Sequence, residues 1–254
     1  MIYLLHVKLR VKMINGHRVL GIVTARAGSK GLPGKNYRLL HGKPLVSYAL
    51  DAGLNSRYVD DVVLTSDCET CIKIANKAGV MVPFVRPAYL SADTVPSADV
   101  IEHTISHLKE MGLEYDVIVL LEPTSPLRDF SDVDAALESM IANEFQAIVS
   151  VSRAEDQHPA FMFSLGKSGD LVTWSSDEFQ PLRRQDLSPA YFLEGSVYIS
   201  FIDIFIEKRT FCHGQTGGYV VPKWKSLEID DLFDFVCVEA VMSAKDALIV
   251  PSLK

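Results

Sequence analysis

The residue types that best indicate chemistry lie in one short stretch, from residue 25 to residue 36. It combines three glycines with three cationic side chains and follows the apolar run 19–24. Glycines let backbone N–H groups approach an anion closely, and cations supply the charge that amides lack. The spacing is neither that of a P-loop nor that of a dinucleotide fingerprint. The sequence therefore predicts a loop that binds a triphosphate, built on Gly28, Gly31, Gly34, Arg26, Lys30 and Lys35.

A second group of interest is acidic. Glu228 and Asp230 stand two residues apart, so both carboxylates share one face if the segment is extended. Such oxygen ligands suit Mg²⁺, which keeps waters and bridges phosphates, and we expect Mn²⁺ to substitute for it. The other interpretation is an acidic helix start, because carboxylates favour helix N-termini. We assign Asp231 and Asp234 to such a start and Glu228 and Asp230 to a metal site.

The elements that must position these groups alternate along the chain. Apolar runs predict strands over 18–24, 61–66, 117–121, 147–152, 195–200 and 218–221, and amphipathic stretches predict helices over 44–54, 69–78, 97–111, 131–143 and 232–244. This rhythm predicts an α/β fold with a mostly parallel, doubly wound sheet that is covered on both faces. Ligands of such sheets bind at the carboxyl ends of strands. The glycine loop, residues 66–67 and residues 122–124 fall at such ends, so we expect them to converge on one crevice.

Two segments depart from this rhythm. Residues 153–190 mix aromatic side chains with glycine and polar turns, which indicates a small inserted lobe without a core of its own. Such a lobe commonly docks on another subunit. Residues 1–17 are interpreted as a leader outside the core, so that residues 18–254 form a single domain.

Composition narrows the classes of function. The 254-residue chain has a net charge of −7, whereas a protein that binds the phosphate backbone of nucleic acids is normally basic. We therefore expect a small anionic ligand and no nucleic acid. The sequence has no apolar run of 18 residues, so no membrane span is predicted. Cys68 and Cys71 form a C-x-x-C pair, but with no second pair we interpret them as small residues that open a helix.

Residues 25–36 resemble the N-terminal signature of the sugar-activating cytidylyltransferases, above all the CMP-sialic acid synthetases (acylneuraminate cytidylyltransferases). The signature positions are Ala25, Arg26, Ser29, Lys30, Gly31, Lys35 and Asn36. Further matches follow in family order, namely Arg86-Pro87-Ala88 with Asp93-Thr94, Pro123-Thr124-Ser125-Pro126-Leu127-Arg128, Arg184-Gln185 and Glu228-Ile229-Asp230. The resemblance runs from about residue 18 to about residue 244.

The resemblance implies a nucleotidyltransferase fold and a cytoplasmic, homodimeric enzyme. Its implied reaction joins CTP to a nine-carbon keto-sugar acid of the sialic acid type, with Mg²⁺, and releases pyrophosphate. The nucleotide-binding residues that it implies are Ala25, Arg26, Ser29, Lys30, Lys35, Asn36, Arg86 and Ser97. The implied catalytic residues are Arg26, Lys30 and Asp230. In the relatives the first metal carboxylate is usually Asp, and Glu228 is longer by one methylene.

The resemblance is weakest on the sugar side. The implied contacts are Glu122, Thr124, Ser125, Arg184, Gln185, Glu194 and Tyr198. Sialic acid enzymes typically carry Gln at Glu122, and Arg-x-Asn-Gly where this chain reads Phe-Leu-Glu-Gly at 192–195. We expect Glu194 to accept hydrogen bonds from the sugar, and we expect a deaminated or diacetamido acid to be preferred over N-acetylneuraminic acid. The alternatives are an enzyme for an eight-carbon keto-sugar acid and a non-catalytic module that binds sugar nucleotides.

Overall fold

A computed structural model describes residues 12–155, 157–174 and 183–248. The strands, in chain order, are β1 (Val19–Ala25), β2 (Leu39–Leu40), β3 (Lys43–Pro44), β4 (Asp61–Ser66), β5 (Val117–Leu121), β6 (Ala147–Arg153), β7 (Phe163–Leu165), β8 (Leu171–Thr173), β9 (Tyr191–Phe201) and β10 (Thr216–Val220). The α-helices are α1 (Leu45–Asn55), α2 (Glu69–Lys77), α3 (Ser97–Glu110), α4 (Phe130–Ala142), α5 (Ile202–Lys208), α6 (Leu232–Ser243) and α7 (Lys245–Leu248). Short 3₁₀ helices occupy Lys35–Tyr37, Ala88–Leu90, Pro159–Phe161, Arg184–Asp186 and Lys223–Lys225.

Six strands form the central sheet in the order β10-β6-β9-β5-β1-β4. β1 pairs in parallel with β4 and β5, and β10 pairs in parallel with β6. β9 runs antiparallel to both of its neighbours, β5 and β6. The predicted mostly parallel sheet is therefore confirmed, with one antiparallel strand inside it.

Helices cover both faces of this sheet. On one face Val19 and Val23 belong to the core cluster that includes residues of α1, α2 and α4. On the other face Leu20 and Ile22 pack with residues of α3 and with Phe205 of α5. Because each central strand is buried on both faces, its sequence is a nearly continuous apolar run. The predicted doubly wound arrangement is confirmed.

Carboxylate caps set the N-terminal ends of two helices, α4 and α6. Asp129 caps α4 by accepting from Ser131 N at 2.9 Å, and Asp132 accepts from Asp129 N at 3.0 Å. The cap thus lies two residues before the predicted start at Ser131, because the Ser131 hydroxyl donates to Asp129. At α6 the predicted acidic start is confirmed as a capping box of Asp231 and Asp234. Within the described ranges, no helix is long and apolar enough to cross a membrane.

The N-terminal boundary of the domain needs correction. Ile14 is buried in the main core cluster, and the backbone N–H of Lys12 donates to Asp60 Oδ1 at 2.8 Å. The predicted leader therefore packs on the domain from residue 12 onward, because an apolar side chain and a backbone bond fix it there. Residues 1–11 lie outside the described part of the chain.

The predicted insertion between β6 and β9 contains the hairpin of β7 and β8. None of the described residues 157–174 is buried, and large apolar side chains of the hairpin face outward. Trp174 at its end is 70% exposed. The lobe has no core of its own within these residues. Residue 156 and residues 175–182 of the insertion lie outside the described ranges.

Candidate active site

The glycine loop begins where β1 ends and is held by polar contacts to its backbone. The Ala27 N–H donates to Asp67 Oδ1 at 2.7 Å, and Asn36 Nδ2 donates to the Arg26 carbonyl at 3.0 Å. Asp67 follows β4, the parallel neighbour of β1. The loop is therefore anchored by the end of an adjacent strand, as the convergence of strand ends predicts.

The three predicted cations of this loop have different environments. Lys35 is the most buried, with its side chain 11% exposed, and its Nζ donates to the Ile229 carbonyl at 2.8 Å and to Asp230 Oδ1 at 3.0 Å. Arg26 is half-buried and pairs with Asp93. Lys30 is 85% exposed, and its Nζ lies 2.5 Å from Asp93 Oδ2. The loop thus carries one inner cation and two cations that share a carboxylate.

Arg86 adds a fourth cation to the cleft from outside the glycine loop. Its side chain is buried, with Nε donating to Thr65 Oγ1 at 3.2 Å and Nη2 to the Thr65 carbonyl at 2.5 Å. Burial lowers the pKa of Arg86 to about 10, Asp67 opposes this shift and Arg26 adds to it. The guanidinium is therefore still charged at neutral pH and is fixed on the end of β4.

The acidic segment 228–230 lies along the end of β5. The Ile229 N–H donates to the Thr124 carbonyl at 2.8 Å, and Ser125 Oγ donates to Glu228 Oε1 at 3.2 Å. Burial raises the pKa of Glu228 to about 7, and the nearby Glu122 adds to this shift. Burial also raises the pKa of Glu122, and the positive charges of Arg128 and Lys35 oppose this shift. The carboxylates therefore repel one another in a partly dry site, an arrangement that favours a bound cation.

Two glycines permit this close approach. A Cβ on Gly195 would fall 1.6 Å from Glu228 Oε1, and Gly195 has a φ of +77°. A Cβ on Gly31 would fall 2.4 Å from the Asp230 backbone oxygen. Gly31 therefore lets the glycine loop touch the acidic segment, and Gly195 leaves room for the Glu228 carboxylate.

The donor set fits a magnesium ion that is shared with a nucleotide. Glu228 and Asp230 line the same cleft as Arg26, Lys35 and Arg86. Among the described residues, no group of three or more His, Cys, Asp or Glu side chains is placed to hold a metal ion. Mg²⁺ at nucleotide sites takes one or two carboxylates and completes its shell with phosphates and water. Two carboxylates beside the cations match that pattern and do not match a cage built from protein alone.

These groups meet in one cleft of about 360 Å³ at the carboxyl edge of the sheet. Thr24, Pro123 and the segment 90–97 complete its walls. The predicted site residues that line it are Arg26, Lys35, Asn36, Arg86, Ser97, Glu122, Thr124, Glu228 and Asp230. Most of the predicted nucleotide and metal residues are thus brought together.

The remaining predicted residues lie elsewhere. Lys30 is exposed and does not line the cleft. Ala25 is buried in β1, Ser29 is half-buried in the loop, and Ser125 is buried and donates to Glu228. Tyr198 lines a neighbouring apolar cavity of about 320 Å³ that shares Ser97 and Glu122 with the cleft. That cavity is also walled by Phe205 and Phe211, so it offers an apolar extension of the cleft.

Arg184 and Gln185 do not line the cleft. They line a separate cavity of about 360 Å³ at the base of the inserted lobe, together with Arg153 and His158. The two cavities share none of their lining residues. Arg184 is therefore not brought to the cleft within one chain, and its contact with the sugar acid stays a prediction.

The position of Glu194 changes its assignment. It is 2% exposed, and its Oε1 accepts from Ser196 Oγ at 2.5 Å and from Ser196 N at 3.3 Å. It does not line the cleft but lies in the field of Arg128, a fully buried cation. The predicted sugar contact is therefore replaced by an interior position, in which Ser196 binds Oε1, Oε2 has no hydrogen-bond partner among the described residues, and the Arg128 charge acts on the carboxylate without a direct ion pair.

Three residues without a role predicted from the sequence make contacts in or beside the cleft. Asp93 pairs with two loop cations, Asp67 anchors the loop, and Arg128 Nη1 donates to the carbonyls of Glu122 and Ser196 at 3.2 and 2.8 Å. Each lies within or next to a segment that had been singled out. Their roles depend on contacts between distant segments, and residue spacing along the chain does not predict such contacts.

Comparison with known proteins bears on the family and the fold of the chain. A family model described as Cytidylyltransferase matches residues 20–198. A solved structure of CMP:2-keto-3-deoxy-manno-octonic acid synthetase in complex with CTP superposes with a TM-score of 0.65 over 90% of this chain and 99% of that one. At 16% identity this likeness shows the fold alone, and it confirms the predicted nucleotidyltransferase architecture.

Curated relatives are more similar in sequence. CMP-N,N'-diacetyllegionaminic acid synthase of Legionella pneumophila is 34% identical over 239 residues, which cover 92% of this chain and 100% of the relative. Pseudaminic acid cytidylyltransferase of Campylobacter jejuni is 32% identical over 85% of this chain and 92% of its own length. N-acylneuraminate cytidylyltransferase of Streptococcus agalactiae is 32% identical over 85% of this chain. The chain spans about half the length of that streptococcal relative, of which 51% is matched.

Proposed function

Because the chain belongs to the cytidylyltransferase family, we propose that it transfers the cytidylyl group of CTP to a nonulosonic acid and releases pyrophosphate. The observation that carries the proposal is the single cleft in which loop cations face Glu228 and Asp230. Nucleotidyl transfer is catalysed chiefly by positioning and by neutralisation of phosphate charge, and this cleft combines both.

Each side of the cleft has its own role in the proposed reaction. Arg26, Lys35 and Arg86 hold the triphosphate from fixed positions, and Lys30 reaches it from the rim. Glu228 and Asp230 would hold Mg²⁺, which when bound supplies further neutralisation of the phosphate charge. Asp230→Asn is expected to raise the metal concentration for half-maximal rate, whereas an unchanged metal titration would remove Asp230 from the site.

The acceptor site is proposed to extend from Glu122 into the apolar cavity of Tyr198 and Phe211. Glu122 accepts hydrogen bonds from the hydroxyl or N–H groups of the sugar, and the cavity suits the apolar part of an acylamino or deoxy substituent. Relatives of similar identity are named for three different acids, so similarity alone does not choose among them. We propose that a diacetamido or deaminated acid is preferred over N-acetylneuraminic acid. This preference is attributed to Glu122 and the apolar cavity, since Glu194 does not line the cleft.

We also propose a homodimer formed through the inserted lobe. The support is the exposed apolar surface of the hairpin, since an apolar patch of this kind marks an interaction site. Leu165 is 74% exposed on β7. Light scattering should show a dimer for the wild type and for Lys167→Asp, and a larger share of monomer for Leu165→Asp. A monomeric wild type would contradict this proposal.

Release of pyrophosphate from CTP tests the proposed function directly. The acceptor panel should contain N-acetylneuraminic acid, its deaminated and diacetamido analogues, and the eight-carbon 2-keto-3-deoxy-manno-octonic acid. The highest kcat/KM is expected with a diacetamido or deaminated nine-carbon acid. Preference for the eight-carbon acid would support the alternative enzyme, and CTP binding without turnover on any acceptor would indicate a non-catalytic module.

A further inference from the structure

We propose that Asp93 is a positioning residue whose carboxylate occupies Arg26 and Lys30 before the triphosphate binds. The triphosphate then displaces this carboxylate from the two cations. Its two carboxylate oxygens are divided between these cations, with Oδ1 on Arg26 Nη1 and Oδ2 at 2.5 Å from Lys30 Nζ. Asp93 also lines the cleft. The inference rests on the proposed function in that it takes the glycine loop to be the phosphate site.

The contact joins two segments that are far apart in the sequence and that both contribute to the cleft. Arg26 and Lys30 belong to the glycine loop, whereas Asp93 belongs to the segment 90–97 that walls the cleft before and at the start of α3. The Asp93 carboxylate therefore links the glycine loop to the segment 90–97 at the cleft wall. The two loop cations expected to meet phosphate are thus occupied by an internal anion.

Both segments are held in place without this contact. The glycine loop is anchored by Asp67 and Asn36 through backbone groups. The other segment follows Arg86, whose N–H donates to the Ser66 carbonyl at 2.8 Å, and it is fixed by the buried Leu90. Removing the Asp93 carboxylate should therefore free the two cations without changing the backbone conformation of either segment.

The direction of the effect follows from charge. A triphosphate must break two ion pairs to reach Arg26 and Lys30, and it must approach a carboxylate that carries the same sign. Both Asp93 pairs are partly exposed, and such pairs contribute modestly. We therefore expect Asp93→Asn to tighten triphosphate binding by about three- to tenfold. A residue that merely supported the loops would have the opposite effect, because its loss would weaken binding.

The test is calorimetric titration of wild type, Asp93→Asn and Asp99→Asn in EDTA and without acceptor. Asp99 is a matched control, since it lies six residues further along, pairs with Arg209 and has a side-chain exposure of 40% against 33% for Asp93. It does not line the cleft. The three ligands are CTP, inorganic tripolyphosphate, and cytidine, which carries no phosphate.

The proposal predicts that Asp93→Asn binds CTP and tripolyphosphate more tightly, binds cytidine as the wild type does, and differs from Asp99→Asn. Unchanged or weaker triphosphate binding by Asp93→Asn would overturn it. Equal tightening by Asp99→Asn would also overturn it, since the cause would then be net charge. Failure of the wild type to bind CTP with Mg²⁺ as well as in EDTA would count against the proposed function, and tripolyphosphate alone would then decide the role of Asp93.

Discussion

Substitution of Gly195 by alanine tests whether Glu228 belongs to the metal site. The new Cβ would fall 1.6 Å from Glu228 Oε1 and 2.7 Å from Glu228 Cδ, so the carboxylate must move. Gly195 also has a φ of +77°, which costs a side-chain-bearing residue about 1–2 kcal/mol. Displacing a packed group adds about 1–3 kcal/mol. The free energy of unfolding should therefore fall by about 3 kcal/mol in Gly195→Ala.

A matched variant separates the two contributions. Gly112 has a φ of +79°, and nothing lies within 4 Å of the Cβ that Gly112→Ala would add. Gly112→Ala should therefore show only the backbone cost of about 1–2 kcal/mol and keep its activity. The assay for both variants is urea unfolding together with a Mg²⁺ titration of pyrophosphate release.

The metal titration decides the interpretation. We expect Gly195→Ala to need at least about tenfold more Mg²⁺ for half-maximal rate, because a displaced carboxylate loses about 1.4 kcal/mol or more of metal binding. Gly112→Ala should titrate as the wild type does. If Gly195→Ala also matches the wild type, Glu228 does not hold the metal and the reasoning about its position is refuted.

Three further predictions follow from the same contacts. Lys30→Ala should lower turnover by about 100-fold while the free energy of unfolding changes by less than about 0.5 kcal/mol, because the side chain is 85% exposed; wild-type turnover in the folded variant would contradict a catalytic role. Arg128→Met should lower the free energy of unfolding in urea by about 3 kcal/mol, since the carbonyls of Glu122 and Ser196 lose their donor and the buried Glu194 loses the nearby positive charge, and a loss below about 1 kcal/mol would argue against this role. In EDTA the folded state should lose about 2 kcal/mol of stability between pH 5 and pH 7 through Glu228, because its raised pKa of about 7 makes the folded form bind the proton more tightly than the unfolded form. Glu228→Gln should flatten this slope in thermal melts, and an unaltered slope would assign it to other groups.

The sequence predicts the fold well where the residues of a strand themselves form an apolar run. The strand predictions at 61–66 and 117–121 match β4 and β5 because both are apolar runs buried on two faces. α5 was not predicted, since it follows β9 directly with no glycine or proline between them. The first three residues of β9 are exposed apolar residues, so they show no alternation that would indicate a strand.

Some residues of the candidate site could likewise be placed from the sequence, and others could not. Residues that follow strand ends, such as Arg26 and Glu122, could be placed because parallel strands deliver their ends to one edge. Glu194 could not be placed, since only the tertiary structure shows that Arg128 lies near it in the interior. Arg184 could not be placed either, because the spacing of residues in the inserted lobe does not predict the path of its backbone.

The most direct test of the central claim is ³¹P NMR of a stoichiometric reaction of the enzyme with CTP, Mg²⁺ and a diacetamido nonulosonic acid. The account predicts that the CTP signals are replaced by one equivalent of pyrophosphate and one equivalent of a CMP phosphodiester. Lys35→Met, which removes the inner cation, should slow this conversion strongly. Persistence of intact CTP with every nine-carbon acid, by a folded enzyme that binds CTP, would contradict the account.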